Sequence, residues 1–294
     1  MRLAKLCGCL VLAGTFGGFV VSSPAQVIVR TATGTAAADI TSTRDAFRAD
    51  LGGGTTAGAN GSFGSLRREI NWDGVPAAFS APNTLPASFF NVNSPRGVLF
   101  STPGTGFEVS SATTDNGPSQ PAAANFGNID PSYTNTFAPF SQQRLFTSLG
   151  SNITDISFFV PGTNTPALTR GFGAVFSDVD LANATSIQLF GVNHSLLGTF
   201  FVPNLTGTQT FSFLGISYAT PMISSVRILA GNTPLGPGAV DENGNVVDVV
   251  VMDDFLYGEP VAAQATQIPE PSTVTMLVVG GGLLLRLVRK RKVA

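Results

Sequence analysis

From Arg96 onward, strand signals recur about every ten to fifteen residues, separated by Gly, Pro and Asn turns, with no helix signal between them. Strands are expected near Gly97–Ser101, Phe107–Ser110, Leu145–Leu149, Ile153–Val160, Gly171–Ser177, Ser186–Phe190, Leu197–Val202, Gln209–Phe213, Ile223–Leu229 and Val247–Leu256. Short strands without intervening helices favour antiparallel pairing. In Ser186-Ile187-Gln188-Leu189 and again in Gln209-Thr210-Phe211-Ser212-Phe213, apolar and polar residues alternate. Alternation implies one buried and one wetted face, as in two packed sheets. The expectation is an all-β, antiparallel two-sheet sandwich of jelly-roll-like topology, with a generic Greek-key sandwich as the alternative. No repeat of 20–50 residues is visible, which argues against a propeller or solenoid.

Helix signals are confined to the ends. Thr43-Arg44-Asp45-Ala46-Phe47-Arg48-Ala49-Asp50-Leu51 offers a threonine cap, apolar residues four apart and a stop at Gly52, so one short N-terminal helix is expected. Residues 26–38 read as an extended leader, and Gly52–Gly64 as a flexible loop without the lysine a phosphate loop needs. Arg2 and Lys5, the apolar run Leu6–Val21 and Ser23-Pro24-Ala25 make a signal peptide cleaved before Gln26. Both cysteines, Cys7 and Cys9, fall inside it, leaving a mature chain without thiol chemistry. At the other end Pro269-Glu270-Pro271 precedes an apolar run, Val274–Leu285, and a basic cluster of Arg286, Arg289, Lys290, Arg291 and Lys292. Twelve apolar residues are short for a span of about 20, although Leu287 and Val288 extend the run if Arg286 snorkels. The basic end belongs in the cytoplasm and the body outside it. The expected layout is a signal peptide (1–25), an arm with the short helix and Gly-rich loop (26–64), the sandwich (65–260), a linker (261–268) and the tail with its hydrophobic helix (269–294).

Removing both ends changes the charge. Residues 26–268 carry nine basic residues, all arginine, against 17 acidic ones, a net charge of −8. That excludes nucleic acid and anionic membrane surfaces as expected partners and leaves neutral glycans, cationic surfaces or divalent ions.

The tail resembles the sorting signal of PEP-CTERM proteins, exported by bacteria that have an outer membrane and make extracellular polysaccharide. The resemblance covers Ile268–Ala294. It implies recognition by an exosortase after passage through the general secretion machinery, a transient inner-membrane stage, and a final place at the cell surface or in the extracellular matrix. The body is similar to an uncharacterised domain of exported bacterial proteins, on Arg67–Val75, Gly171–Asp180 and Val251–Glu259. That likeness implies a shared domain and no activity.

Carboxylates are the main chemical candidates. Asp178 and Asp180 follow an apolar strand two residues apart, and Asp253 and Asp254 interrupt the very apolar run Val249–Tyr257. A buried carboxylate needs a cation or several hydrogen bonds. Glu69 and Asp73 are further oxygen donors, because a jelly roll brings its first and last strands together. These six residues either hold a structural Ca²⁺ ion, which takes six to eight oxygens at about 2.3–2.6 Å, or cap turns and pair with Arg67, Arg68 and Arg170. Asp241-Glu242-Asn243-Gly244-Asn245 imitates an EF-hand opening, but Val246 and Met252 break the pattern, and a hairpin turn explains it. His194, the only histidine, belongs to a turn rather than a catalytic triad. A two-carboxylate glycosidase would draw on Glu69, Glu108 and the aspartates. For glycan binding, Trp72 and Tyr257, with Tyr133 and Tyr218, are candidate platforms, while a lone tryptophan also suits a core. The expected function is a non-catalytic exported surface or matrix protein that binds polysaccharide. The rivals are a purely structural matrix component and a glycan-processing enzyme.

Overall fold

The computed structural model describes residues 26–112, 123–239 and 247–263. The signal segment, the turn at Asp241–Asn245, Pro269, Glu270 and Pro271, the apolar tail and its basic cluster lie outside the described residues. Among the described residues no helix is long and apolar enough to cross a membrane.

The chain begins with β1 (Val27–Gly34), α1 (Ala37–Leu51), β2 (Ser62–Phe63), β3 (Arg67–Ile70) and the one-turn helix α2 (Phe89–Val92). There follow β4 (Val98–Ser101), β5 (Gly106–Val109), the one-turn α3 (Tyr133–Thr136), β6 (Phe146–Leu149), β7 (Ile153–Phe158) and β8 (Ala167–Leu168). The last stretch holds β9 (Gly171–Ser177), β10 (Ser186–Phe190), β11 (Leu196–Phe201), β12 (Phe211–Tyr218), β13 (Ser225–Leu229), β14 (Val251–Gly258) and β15 (Val261–Ala262). All ten expected strands are present, two of them with the expected ends.

Two antiparallel sheets face each other. One runs β1-β12-β9-β14-β3-β2, with β6 also against β14 and β5 against β6; the other runs β11-β10-β13-β7-β4. From β7 to β14 the chain passes repeatedly from one sheet to the other, the alternation of a jelly roll. Between the sheets, Phe172, Ala174 and Phe176 of β9 and Leu214 and Ile216 of β12 meet Ile187, Leu189, Val226 and Ile228 of the opposite sheet.

The first sheet is covered on its outer side as well. Residues 26–38, expected as a leader, are the edge strand β1, paired with β12 from Val27–Tyr218 to Gly34–Phe211, and the first turn of α1. The helix starts six residues before the expected Thr43: Asp39 Oδ2 accepts the Ala36 N–H at 2.9 Å, and the alanines that follow favour helix. Gly52 ends it as expected, its N–H donating to Arg48 O at 2.8 Å. Ile40, Phe47 and Leu51 of α1 pack on Val175, Phe211, Phe213 and Leu256. The alternation in Gln209–Phe213 is therefore real, but its aromatic face points to the helix, and neither face of β12 is wetted. Both faces of β9 and β12 are buried for the same reason.

Close approach of the helix requires glycine. Gly173 and Gly215 lie opposite each other in β9 and β12. A Cβ on either would stand 2.7 Å from the Phe47 ring, and one on Gly171 would stand 2.8 Å from Leu51 Cδ2. The sheet offers a flat glycine patch into which the helix sets Phe47 and Leu51.

Candidate functional site

Strand β14 organises the chemistry. Its register against β9 slips by one residue between Met252 and Phe255, a bulge that keeps Met252, Phe255 and Tyr257 facing the sandwich core. The extra residue falls at Asp253-Asp254. At the same place β14 changes neighbours, from β6 at Met252–Phe146 to β3 at Phe255–Ile70. The run after β3, Asn71-Trp72-Asp73, passes beside this split, and Trp72 Nε1 donates to Asp253 O at 2.7 Å.

Trp72 is a core residue, 1% exposed. Its ring stacks on Phe146 at 4.1 Å and 3° and meets Phe90 and Phe255 edge-on. Tyr257 is fully buried, with its hydroxyl donating to Arg96 O at 3.0 Å. Neither can serve as an exposed sugar platform, because the large apolar ring of each is spent on the sandwich interior. Tyr133 and Tyr218 are buried as well. His194 sits on an exposed turn at φ 55°, as the turn reading requires.

The six acidic candidates fall into two groups. Asp253 accepts hydrogen bonds from Phe140 N at 2.6 Å, Ser141 N at 3.2 Å and Ser141 Oγ at 3.0 Å, so it clasps the loop before β6. Burial, then the adjoining Asp254, push Asp253 well above the usual carboxylate range. Asp254 is also raised by burial, although Arg44 Nη1 stands 3.3 Å from its Oδ2. Asp73 Oδ1 accepts the Arg144 N–H at 3.2 Å, and burial lifts it to about 6. Glu69 is an arginine acceptor: Arg48 grips both oxygens at 2.8 and 2.6 Å, and Arg67 Nε reaches Oε1 at 2.6 Å. Asp178 and Asp180 instead follow β9. Asp180 Oδ1 accepts the Gly207 N–H, and the Asp180 and Leu181 N–H groups point to Asp248. Asp248, which the sequence did not single out, is buried and raised to about 6, chiefly by desolvation. Among the described residues no group of three His, Cys, Asp or Glu side chains is arranged to hold a metal ion.

The arginines around Glu69 build a cleft. Buried Arg67 donates to Gly52 O and to Gly54 O at 3.0 Å and lies over the Phe63 ring, so the Gly-rich loop is pinned to the end of α1. Arg68 is held by Glu259. Between α1, this loop and β3 lies a polar cavity of about 460 Å³, with Arg48, Asn60, Asn71, Arg96 and Ser141 in its wall. A second cavity of about 400 Å³ shares Asn71 and Arg96 with it and adds Val75, Phe79, Phe89 and Asn93. A third, of about 690 Å³, shares Arg48, Ala57 and Phe63 with the first. The first cavity thus shares wall residues with each of the other two.

Comparison with known proteins adds little. No protein-family model and no curated protein matches the chain. The crystal structure of a glycoside hydrolase family 43 arabinoxylan arabinofuranohydrolase from Bacillus subtilis in complex with cellotetraose is similar over 53% of this chain and 24% of its own, at 15% identity and a TM-score of 0.26. The chain spans about a quarter of that enzyme's length, and so slight a likeness carries no argument about activity.

Proposed function

We propose that this is an exported, non-catalytic surface or matrix protein, sorted through its PEP-CTERM-like tail, whose sandwich holds extracellular polysaccharide in the cleft beside α1. The observation that carries the binding half is that two neighbouring cavities share Asn71 and Arg96 in their walls. Together their walls combine apolar residues, Val75, Phe79 and Phe89, with hydrogen-bonding ones, Arg48, Asn60, Asn93 and Ser141. Sugars present both kinds of surface, and ligand sites combine them in this way. The sorting half rests on Pro269-Glu270-Pro271, the apolar run and the basic end.

The same cleft argues for binding over hydrolysis. A retaining or inverting glycosidase needs a carboxylate pair free to reach the sugar. Here Glu69 has both oxygens gripped by arginines and Asp254 is buried against Arg44. Calcium at Glu69 or Asp253 would have to displace guanidinium, N–H and hydroxyl donors that already fill those oxygens, so the proposal includes no ion there.

The test uses the full chain expressed in a bacterium with an exosortase and in the same strain without it. Loss of the tail by mass and recovery at the cell surface are expected in the first strain, and an intact membrane-held chain in the second. An identical intact chain in both strains would overturn the sorting half. Failure of the surface-recovered protein to be retarded by any polysaccharide in affinity electrophoresis would overturn the binding half.

A further inference from the structure

The geometry points to a carboxylate-bearing polysaccharide, one containing uronic acids, as the ligand of the cleft, with Arg96 as the group that receives its carboxylate. This inference rests on the polysaccharide reading above and narrows it.

Arg96 differs from most arginines of the fold in its pairing, as Arg170 does, and unlike Arg170 it lines these cavities. Arg30, Arg44, Arg48, Arg67, Arg68 and Arg227 each have a carboxylate within ion-pair distance. Arg96 has none among the described residues. Its Nη1 donates to the Glu69 carbonyl and its Nε to Ser94 Oγ at 3.2 Å, while the guanidinium lies 5.2 Å from the centre of the Phe90 ring. These contacts fix the plane of the group and leave Nη2 without a hydrogen bond. Burial lowers its affinity for the proton below the ordinary arginine value, the direction expected of a cation short of compensation. A partly desolvated cation without a counter-charge costs free energy until an anion supplies it. Arg96 also lies in the wall of both cavities.

Carboxylate suits the site. A fixed, planar guanidinium recognises a planar anion with directional, charge-assisted bonds. Partly buried Phe79 offers a carbon face to a sugar ring, with Val75 and Phe89 of the core behind it, and Asn60, Asn71 and Ser141 are offered to hydroxyls. Neighbouring cavities that share wall residues suit a chain of rings better than one small anion. The acidic body does not forbid this, since its distant charges are screened beyond about 10 Å at 0.1 M salt, and in the wall of the polar cavity Arg44, Arg48 and Arg96 outnumber Glu69 and Asp254, which Arg48, Arg67 and Arg44 engage.

The experiment measures retardation of the full chain, in detergent, by polygalacturonate and by its fully methyl-esterified, uncharged form, at low and high salt. Binding to the acid form is expected to be about tenfold tighter, to weaken with salt, and to lose its preference over the ester in Arg96→Gln. Because Arg96 also braces Glu69 and Ser94, Asn60→Asp provides a second variant. Asn60 is exposed at φ 52°, which aspartate also adopts, and the added carboxylate should selectively weaken the acid form. Equal binding of acid and ester would overturn the carboxylate inference while leaving the polysaccharide reading intact. An acid preference surviving in both variants would overturn the role of Arg96. Retardation by neither polymer would overturn this inference, and failure with every other polysaccharide tried would overturn the broader reading too.

Discussion

At the scale of single residues, the buried acids set the response to pH. Asp73 and Asp248 are both lifted from 3.8 to about 6, chiefly by burial. Between those values the folded state binds more protons than the unfolded chain, so stability falls as pH rises through the window and the full penalty is present above it. Glu108 and Asp253, also raised by burial, act in the same sense. Asp130, held low by the Gly238 N–H and Ser132, acts in the opposite sense but below the window. The melting temperature is therefore expected to rise as pH falls from 7.5 to 5.5. Asp248→Asn, which removes the titrating group while keeping one of the two oxygens that accept the Asp180 and Leu181 N–H groups, should flatten part of that slope. An unchanged slope in Asp248→Asn would remove Asp248 from the account. Trp72 gives an independent residue-scale test. As the sole tryptophan, buried in phenylalanine rings, it should emit at short wavelength and resist iodide quenching until the protein unfolds. Trp72→Phe should cost about 1–3 kcal/mol in denaturant unfolding, from the lost bond to Asp253 O and the volume left behind.

At the scale of elements, α1 docks through shape rather than charge alone. Gly173→Ala and Gly215→Ala each drive a methyl group into Phe47 and should cost about 1–3 kcal/mol by overpacking, with faster amide exchange in α1 than in β10 or β13. Equal exchange in helix and sandwich would show that the glycine patch is not what seats the helix. This docking also explains which elements were legible in the sequence. From β4 onward all strands but the two-residue β8 and β15 were readable, because turn residues punctuate apolar runs. Strand β3, Arg67-Arg68-Glu69-Ile70, was not among the expected strands: its charged side chains break the apolar pattern, and the Glu69 and Glu259 pairings let them lie in a sheet. Strand β1 hid behind Ala and Thr, and α1 appeared to begin at Thr43, which lies mid-helix. Of the candidate site, the meeting of Glu69 with Asp254 through β3 and β14 was foreseeable from the closure of a jelly roll. The Arg96 wall was not, because residues 44–48, 60–71, 93–96 and 141 come together only after folding, and nothing in the local sequence of Pro95-Arg96-Gly97 marks a ligand.

At the scale of the whole molecule, residues 26–64 are part of one cooperative structure with the sandwich rather than an appendage. Strand β1 supplies the eight-residue edge partner of β12, and Ile40, Phe47 and Leu51 close a core over Val175, Phe213 and Leu256. Burying three such side chains contributes on the order of 1.5–3 kcal/mol each, comparable in sum with the net stability of an ordinary domain. Arg48 and Arg67 then join the helix end and loop to Glu69, so the cleft and the helix stand or fall together. Deleting residues 26–64 from the chain should uncover an aromatic sheet face and the open edge of β12, a combination that invites association through strand edges. The expected outcome is a loss of monomer by size-exclusion chromatography, dye binding to exposed apolar surface and a broadened unfolding transition. A truncated chain that stayed monomeric and melted in one sharp transition near the parent temperature would mean that the sandwich carries its own stability. The helix would then be an added lid, and Phe211 and Phe213 would have to find cover without it.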